Sequence, residues 1–524
     1  MDTSSHYDLV IVGGGINGCA LARMAARRGI RTALLEQLDF GAGITSRSTR
    51  LIHGGLRYLE SFQISLVRES LSDRERLLRE FPGQVAPQPI LLPIYAGDSR
   101  PTWHLALGLS LYRALAAGGS LPPHRRVSAA ETLALLPGLD SGGLQGSFEY
   151  YDCQAVYPER LALEMALQAG EAGAEVRNHT RVTSLLRSGR RVTGVRCSGP
   201  DGRREYSARI VVNASGAWVD RVLGLLGRAR AEPLLTLVNG AHIVVRDLPG
   251  APRHAVYREA RSDGRPFFVV PWRGLYLIGT TETRFRGDPA RAAPSEKETR
   301  YLLREVNGLF PGAALERAAI LYSYCGPRPL LRTQSNDVHR ASRGHRVVDH
   351  ERSDGIKGLL SMAGGKLTTA PSFAGEALRR VEAGLGLTPS RDRGRRPAPV
   401  AAGVPPRIAG IYGPRAPELL RFLRSDAGLD RPVARGCRTT RGEILFAVER
   451  EKARTLGDVL LRRTGMAFDP SCSRTWVEEA AEVCAPALGW DPGRKALALR
   501  DCRAELLETL VPSGGSAPMS ATMA

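Results

Sequence analysis

The sequence predicts an α/β fold: a Rossmann-like nucleotide-binding domain, an antiparallel-sheet domain set into it, and a C-terminal α-helical domain. Three observations predict this. The apolar, β-branched run 9–12 breaks into Gly13-x-Gly15-x-x-Gly18 and then into a helix-like run, 16–28, closed by Gly29. A second apolar run, 30–35, ends in Glu36. Over 235–330 the pattern changes to short alternating strands, and past residue 406 to helix-like segments.

The first unit carries its own chemistry. Gly13 permits the tight turn, Gly15 lets a pyrophosphate approach the backbone, and Gly18 lets the helix pack close to the strand. Gly14 and Asn17 sit in the same turn, where free helix N-terminal amides face the pyrophosphate. Glu36 falls at the spacing where a carboxylate takes ribose hydroxyls, and an acid there argues against a 2′-phosphate. FAD or NAD remain.

Composition narrows the class. No run of eighteen apolar residues appears, so no transmembrane helix is expected, and the N-terminus shows no signal peptide. The eight cysteines are scattered without a C-x-x-C pair, which favours reduced thiols in a cytosolic protein and no metal site. The net charge of +20 admits an anionic substrate, an anionic membrane surface or nucleic acid. Arginine supplies 68 of the 73 basic residues and is spread through the chain. With no aromatic-basic patch for stacking bases, nucleic acid is not expected as a partner.

Along the chain, residues 40–50 are rich in Gly, Ser and Thr, including Thr45 and Ser46. Leu51-Ile-His-Gly-Gly-Leu-Arg-Tyr-Leu59 follows, with His53, Gly54, Gly55 and Leu56. Paired glycines beside small hydroxyl residues let a loop lie flat and donate N–H groups, as a flavin ring requires and a nicotinamide does not. A basic helix is expected over 61–81, then an irregular Pro-containing region to 140 with an apolar helix at 103–117. A helix is expected at 160–172 and strands at 175–182, 191–197 and 205–212. The last enters a small-residue turn at Ser215 and Gly216, suited to a second backbone contact with the dinucleotide. Strands at 241–245, 266–270 and 275–280 form the antiparallel layer. The nucleotide domain resumes at 358–362 and continues through Gly364-Gly365-Lys366-Leu367-Thr368-Thr369 into a helix to 382. Helix-like stretches follow at 416–425, 441–463 and 473–488.

These motifs form a set. With Gly13 to Gly18, the 51–60 stretch and Gly364 to Thr369 go Gly-Ala-His-Ile-Val-Val at 240–245, Ile-Gly-Thr-Thr at 278–281 and Gly-Pro-Arg-Pro-Leu at 326–330. Together they resemble the FAD-dependent, respiratory glycerol-3-phosphate dehydrogenases over essentially the whole chain. The resemblance implies a flavin domain of the D-amino-acid-oxidase type and oxidation of sn-glycerol 3-phosphate to dihydroxyacetone phosphate. It also implies a quinone acceptor, peripheral attachment to the inner face of the cytoplasmic membrane, and often a homodimer. The division expected is an oxidoreductase over 1–390, with FAD-binding parts about 1–60, 150–235 and 335–390 and substrate-binding parts about 61–149 and 236–334. A linker at 391–406, a helical domain at 407–512 and a disordered tail at 513–524 complete it.

Within that set, Arg57 and Arg328 are the expected phosphate anchors, because arginine forks suit a phosphate dianion. Lys366 stands out in a chain so poor in lysine. An ammonium loses its proton when desolvated, whereas a guanidinium does not, so Lys366 is expected at the flavin face near the reacting hydroxyl. His242 is the competing base or a substrate donor. Tyr58, Thr281 and Glu282 are expected to line the pocket, and Gly365, Lys366, Leu367 and Thr368 to touch the cofactor. The sequence departs from the family at Asn239, Glu282 and Pro327, near the expected pocket, and has Arg50 for a common lysine. The alternative substrate is therefore another hydroxy acid or an amine.

Overall fold

A computed structural model describes residues 5–116, 118–227, 232–250, 252–332, 343–388 and 403–510. The expected linker falls mostly outside these residues, and the expected tail wholly so. The first sheet grows outward from the strand Ser5–Val12, which runs parallel to Thr32–Leu35 on one side and to Gly202–Asn213 on the other. Leu359–Gly364 and Glu175–Arg177 extend it in parallel, and His345–Asp349 closes one edge antiparallel. Leu9 and Ile11 pack under the helices Ile16–Arg27, Pro158–Glu171 and Ala370–Leu385, whereas Val10 and Val12 face a second core with Val195 and Val211. Burial on both faces is why this strand reads as unbroken apolar sequence.

The second sheet has ten strands, and its antiparallel run Leu235–Val245, Leu275–Gly279, Pro266–Trp272, Ala255–Glu259 occupies the part read as short alternating strands. The irregular region expected up to residue 140 is corrected. It contains the 11-residue strand Val85–Tyr95, which lies inside this sheet between Leu144–Ala155 and Ala255–Glu259. Pro87, Pro89 and Pro93 hid it. They occupy alternate positions, so their missing N–H groups all fall along one edge of the strand.

Two other expectations change. The single strand at 175–182 is two, Glu175–Arg177 and Arg181–Ser188, separated by a turn in which His179 has a φ of 51°. The continuous helix at 441–463 ends at Glu449. Lys452 turns the chain with a φ of 59°, and Asp458–Arg463 forms a wide i→i+5 turn. The helix Pro492–Thr509 follows the expected ones in the C-terminal part.

That wide turn has a cause. It aims Arg462 and Arg463 at Asp39, three residues beyond Glu36. Arg463 donates to both Asp39 oxygens at 2.5 and 3.0 Å, Arg462 Nε donates at 2.9 Å, and Asn178 adds a bond of 2.9 Å. Arg462 also pairs with Asp458, whose other oxygen meets His179 Nε2 at 2.8 Å. Asp39, His179 and Asp458 come close enough to suggest a cation site, but two guanidinium forks already satisfy the carboxylates. Breaking a buried pair by removing one partner costs about 3–5 kcal/mol. Arg463→Leu is therefore expected to lower the melting temperature by several degrees in thermal denaturation. Arg300→Ala, which removes an exposed helix pair with Glu296, is expected to leave it in place. Equal melting curves for the two variants would refute the role given to Asp39.

Candidate active site

One elongated cavity starts at the first βα turn and ends between the two sheets. Its end at that turn is set by glycine. Gly13 has a φ of 110°, and a Cβ there would lie 2.7 Å from the Ala214 carbonyl oxygen; a Cβ on Gly18 would lie 1.9 Å from the Gly13 oxygen. Gly15 differs, since its nearest neighbour would be Thr45 Oγ1 at 3.4 Å, and it borders open cavity. The Glu36 carboxylate accepts the N–H groups of Gly14 and Leu38 at 2.6 and 2.8 Å while lining the cavity. Burial raises its pKa, and those two N–H groups oppose the rise. Asn17, Thr45, Ser215 and Gly216 also line this end, with Asn17 Oδ1 buried and unpartnered. An open approach at Gly15 with the Glu36 carboxylate further along the same cavity meets what a dinucleotide site requires.

The other end gathers cations. Lys366 donates to Ser70 Oγ at 2.9 Å, and its Nζ sits 4.5 Å from the centre of the Tyr58 ring. Burial lowers the Lys366 pKa. Arg328 donates to Thr280 Oγ1 at 2.5 Å and to the Thr281 carbonyl at 3.3 Å. It fits only because residue 240 is glycine, where a Cβ would fall 2.3 Å from its Nη2. Arg343 completes the group and pairs with Glu282. Burial resists ionisation of the Tyr58 phenol, yet Lys366, Arg343 and Arg328 together bring its pKa down. Among the described lining residues the only carboxylate is Glu36, at the far end.

The site residues read from sequence divide by position. Gly13, Gly15, Asn17, Glu36, Thr45, His53, Tyr58, Ser215, Gly216, Arg328, Gly365, Lys366, Leu367 and Thr368 line the cavity. Gly14 and Gly18 support it from behind. The Ser46 hydroxyl turns back on the carbonyls of Ala42 and Gly43, and the Gly54 N–H donates to Tyr112. Gly55 makes room for the Tyr58 ring. Arg57 is not brought to Arg328; with Leu56 it lines a neighbouring cavity on the other side of the Leu56–Leu59 turn. Thr281 Oγ1 is held between the Ala241 N–H and Glu298.

His242 stands one layer back, its Nε2 2.9 Å from the hydroxyl of Thr49, which does line the cavity. Burial, with Arg328 and Arg50 nearby, lowers its pKa to about 3, so the ring is neutral. Sequence reasoning missed Thr49 and Arg343. Thr49 lay in the hydroxyl-rich 40–50 run, but Arg343 had no motif to mark it. The departures Asn239 and Pro327 are cross-strand partners and lie outside the lining, as does Glu282.

Fold and cavity together define an oxidoreductase of the dinucleotide-binding class, with its reaction end between the nucleotide sheet and a second sheet. Residues 8–374 match the family described as FAD dependent oxidoreductase, and residues 391–495 match the C-terminal domain of alpha-glycerophosphate oxidase. A glycerol-3-phosphate dehydrogenase of Synechocystis sp. is 38% identical over 497 residues, 89% of this chain and 90% of that protein. The aerobic glycerol-3-phosphate dehydrogenase of Staphylococcus aureus is 30% identical, over 94% of this chain and 92% of its own. The crystal structure of the Bacillus halodurans glycerol-3-phosphate dehydrogenase complexed with FAD superposes with a TM-score of 0.78 at 26% identity, covering 98% and 97% of the two chains. The chain belongs to the FAD-dependent oxidoreductases, in the glycerol-3-phosphate dehydrogenase branch. Its cofactor is FAD.

Two outcomes follow from this geometry. Gly15→Val is expected to give folded but colourless protein, because the new side chain meets ligand space and only Thr45 of the protein. Gly18→Ala is expected to give little folded protein. Absorbance at the flavin band and circular dichroism separate the cases, and a yellow Gly15→Val protein would contradict the pyrophosphate assignment. The second outcome concerns pH. Burial, with Lys366 nearby, lowers the His53 pKa to about 3, matching His242. Both rings are neutral in either state above the unfolded pKa of about 6.5, so nothing is lost there. Below it the unfolded chain takes protons that the folded chain refuses, and stability falls by up to about 1.4 kcal/mol per pH unit for each ring. The melting temperature is expected to drop between pH 7 and 5, less steeply in His242→Gln; parallel profiles would contradict this.

Proposed function

We propose that this chain oxidises sn-glycerol 3-phosphate to dihydroxyacetone phosphate and passes the electrons to a membrane quinone. The observation that carries the substrate assignment is the cluster of Arg328, Arg343 and Lys366 around Tyr58, with no carboxylate of the lining nearby. That charge pattern suits a small phosphate dianion and resists a zwitterionic amine. FAD supplies the hydride acceptor when bound.

The residues divide the remaining work. Arg328 and Arg343 hold the phosphate, Arg328 rigidly because the Thr280 hydroxyl and Thr281 carbonyl fix its plane. Lys366, desolvated and backed by Ser70, takes the proton of the hydroxyl as its carbon gives up hydride. Neutral His242 holds the Thr49 hydroxyl in position.

Phosphate contacts exist in both ground and transition states, so Arg328→Gln is expected mainly to raise KM, by about 2–5 kcal/mol in binding. Lys366→Met is expected to slow flavin reduction in single turnovers by roughly 10²–10⁴-fold. Stopped-flow bleaching of the holoenzyme with glycerol 3-phosphate, compared with glycerol and lactate, tests both. Normal substrate affinity in Arg328→Gln, or bleaching by lactate equal to that by glycerol 3-phosphate, would overturn the substrate assignment.

Membrane contact is proposed through one surface. No helix among the described residues is long and apolar enough to cross a membrane. Phe62, Trp103 and Leu107 are nonetheless 86%, 69% and 60% exposed. Trp103, Leu107 and Leu111 recur every fourth residue along the helix Thr102–Leu115, which also carries Arg113, and Arg68 stands on the helix Ile64–Glu80. Each cation near an anionic surface adds about 1 kcal/mol. Co-sedimentation with phosphatidylglycerol vesicles at low salt is expected, and Trp103→Ser with Leu107→Ser is expected to release the protein. Full retention of that double variant would rule this surface out.

A further inference from the structure

A base that takes one proton per turnover must also give one away, and the cavity offers Lys366 no group to receive it. Among the described lining residues the only carboxylate is Glu36, at the far end, and beside Lys366 stand the cations Arg328 and Arg343. An ammonium left there blocks the next turnover. The other face of Lys366 is different. Ser70, which accepts the Nζ hydrogen bond, belongs to the helix Ile64–Glu80 and lies outside the cavity lining, and titratable side chains gather around it.

Glu69 precedes Ser70 on that helix and Asp73 follows it, and the charge of each carboxylate acts on the ionisation of Lys366. His345 begins the edge strand His345–Asp349 and turns Nδ1 to Glu69 Oε1 at 3.6 Å. Its Nε2 faces Glu376 of the helix Ala370–Leu385 at 3.4 Å. Phe373 of the same helix lies flat on the imidazole, with ring centres 4.4 Å apart, and fixes the ring so that each nitrogen meets one carboxylate.

The two acids nearest Lys366 differ in their access to water. Asp73 is 3% exposed and accepts the Ser372 N–H at 3.2 Å. Burial raises its pKa to about 7, so it holds a proton readily, but it is sealed. The Glu69 side chain is 33% exposed, yet its Oε1 is buried and has no hydrogen-bond partner among the described residues. One carboxylate therefore reaches from the buried side of Lys366 to solvent, and its inner oxygen is free to accept.

We propose that Glu69 is the outlet through which the proton taken by Lys366 leaves the protein, with His345 as the residue that positions its carboxylate. This rests on the base role given to Lys366 above. As the carbon gives up hydride, the substrate O–H bond breaks and its proton adds to the Lys366 amine. The resulting ammonium passes that proton to the Glu69 carboxylate and is an amine again. Glu69, now the neutral acid, releases the proton to water on its exposed side and returns to carboxylate. One proton enters the protein and one leaves it, and the cavity stays closed to solvent throughout.

The test separates proton uptake from proton release. Holoenzyme would be mixed with glycerol 3-phosphate without an electron acceptor, in weak buffer containing phenol red. Flavin bleaching then reports hydride transfer, and the indicator reports the proton reaching solvent. In the parent protein the two signals are expected to keep pace. Glu69→Gln keeps the shape but cannot take a proton. It is expected to bleach at the parental rate and to release its proton about tenfold more slowly or worse. His345→Gln is expected to lag less, and Asp73→Asn to match the parent. In repeated turnover with ferricyanide, imidazole added as a diffusible base is expected to restore Glu69→Gln, because a mobile carrier replaces the lost one.

Proton release that keeps pace with bleaching in both Glu69→Gln and His345→Gln would overturn the outlet. So would bleaching slowed as much as release with no response to imidazole, since that is a defect of structure. A longer lag in Asp73→Asn than in Glu69→Gln would overturn it in favour of Asp73. Parental bleaching in Lys366→Met would remove the base reading and the outlet with it, whereas slow bleaching there beside prompt release in Glu69→Gln removes the outlet alone. Should Glu69→Gln fail to retain flavin, His345→Gln decides alone, by its lag and its response to imidazole.

Discussion

Asp39 is the constraint on which the arrangement turns. It sits fully buried three residues after Glu36, and its carboxylate is satisfied by Asn178 and by two consecutive arginines from the C-terminal part of the chain. An unpaired charge in that position would be prohibitively costly, so the C-terminal part must dock in one way for the nucleotide loop to exist as it does. Arg160 extends the same lock, placing two parallel bonds of 2.6 and 2.7 Å on Glu451. A buried pair adds little net stability over apolar groups of equal shape. Its contribution here is to register, holding the loop with Glu36 against the helical part.

The same logic accounts for the buried arginines. Arg23, Arg50, Arg74, Arg160, Arg462 and Arg463 are all buried, and each meets a carboxylate. A planar guanidinium with five donors satisfies such acids bidentately and never loses its charge, which a lysine in the same place would do. These arginines thus serve the interior and not a polyanion. Lys366 is the complement of this pattern. It stands half-buried at the cavity, where burial lowers its pKa, and among the described residues no carboxylate forks onto it. Ser70 and the Tyr58 ring hold it instead.

The two cavities flanking the Leu56–Leu59 turn differ for an electrostatic reason. On the Tyr58 side three cations line the cavity, and of the carboxylates only Glu36, at the far end, lines it with them, while Glu282 is spent on Arg343 from behind. On the Arg57 side each carboxylate is matched by an arginine. Adjacent residues of one short turn therefore serve an anionic and a neutral environment, and the alternation of side chains about that turn separates them.

Sequence alone determined the nucleotide half, because its requirements are local. Close approach at Gly13 and Gly18, the open space before Gly15, the double-sided burial of the run 9–12 and the acid at Glu36 each impose a residue type at a fixed spacing, and spacing is visible in a linear chain. Lys366 was legible for a related reason, as a residue type chosen against the composition. The remainder depended on contacts between distant segments. The strand Val85–Tyr95 is held by partners on both sides despite three prolines that argue against it locally. Arg343 reaches Tyr58 only because the first sheet's edge folds over the cavity, and His242 and Thr49 meet across 193 positions. Arg57 and Tyr58 are neighbours in sequence but face different cavities. No periodicity records which way a single turn will be packed, because that is decided by what the rest of the chain brings to each side.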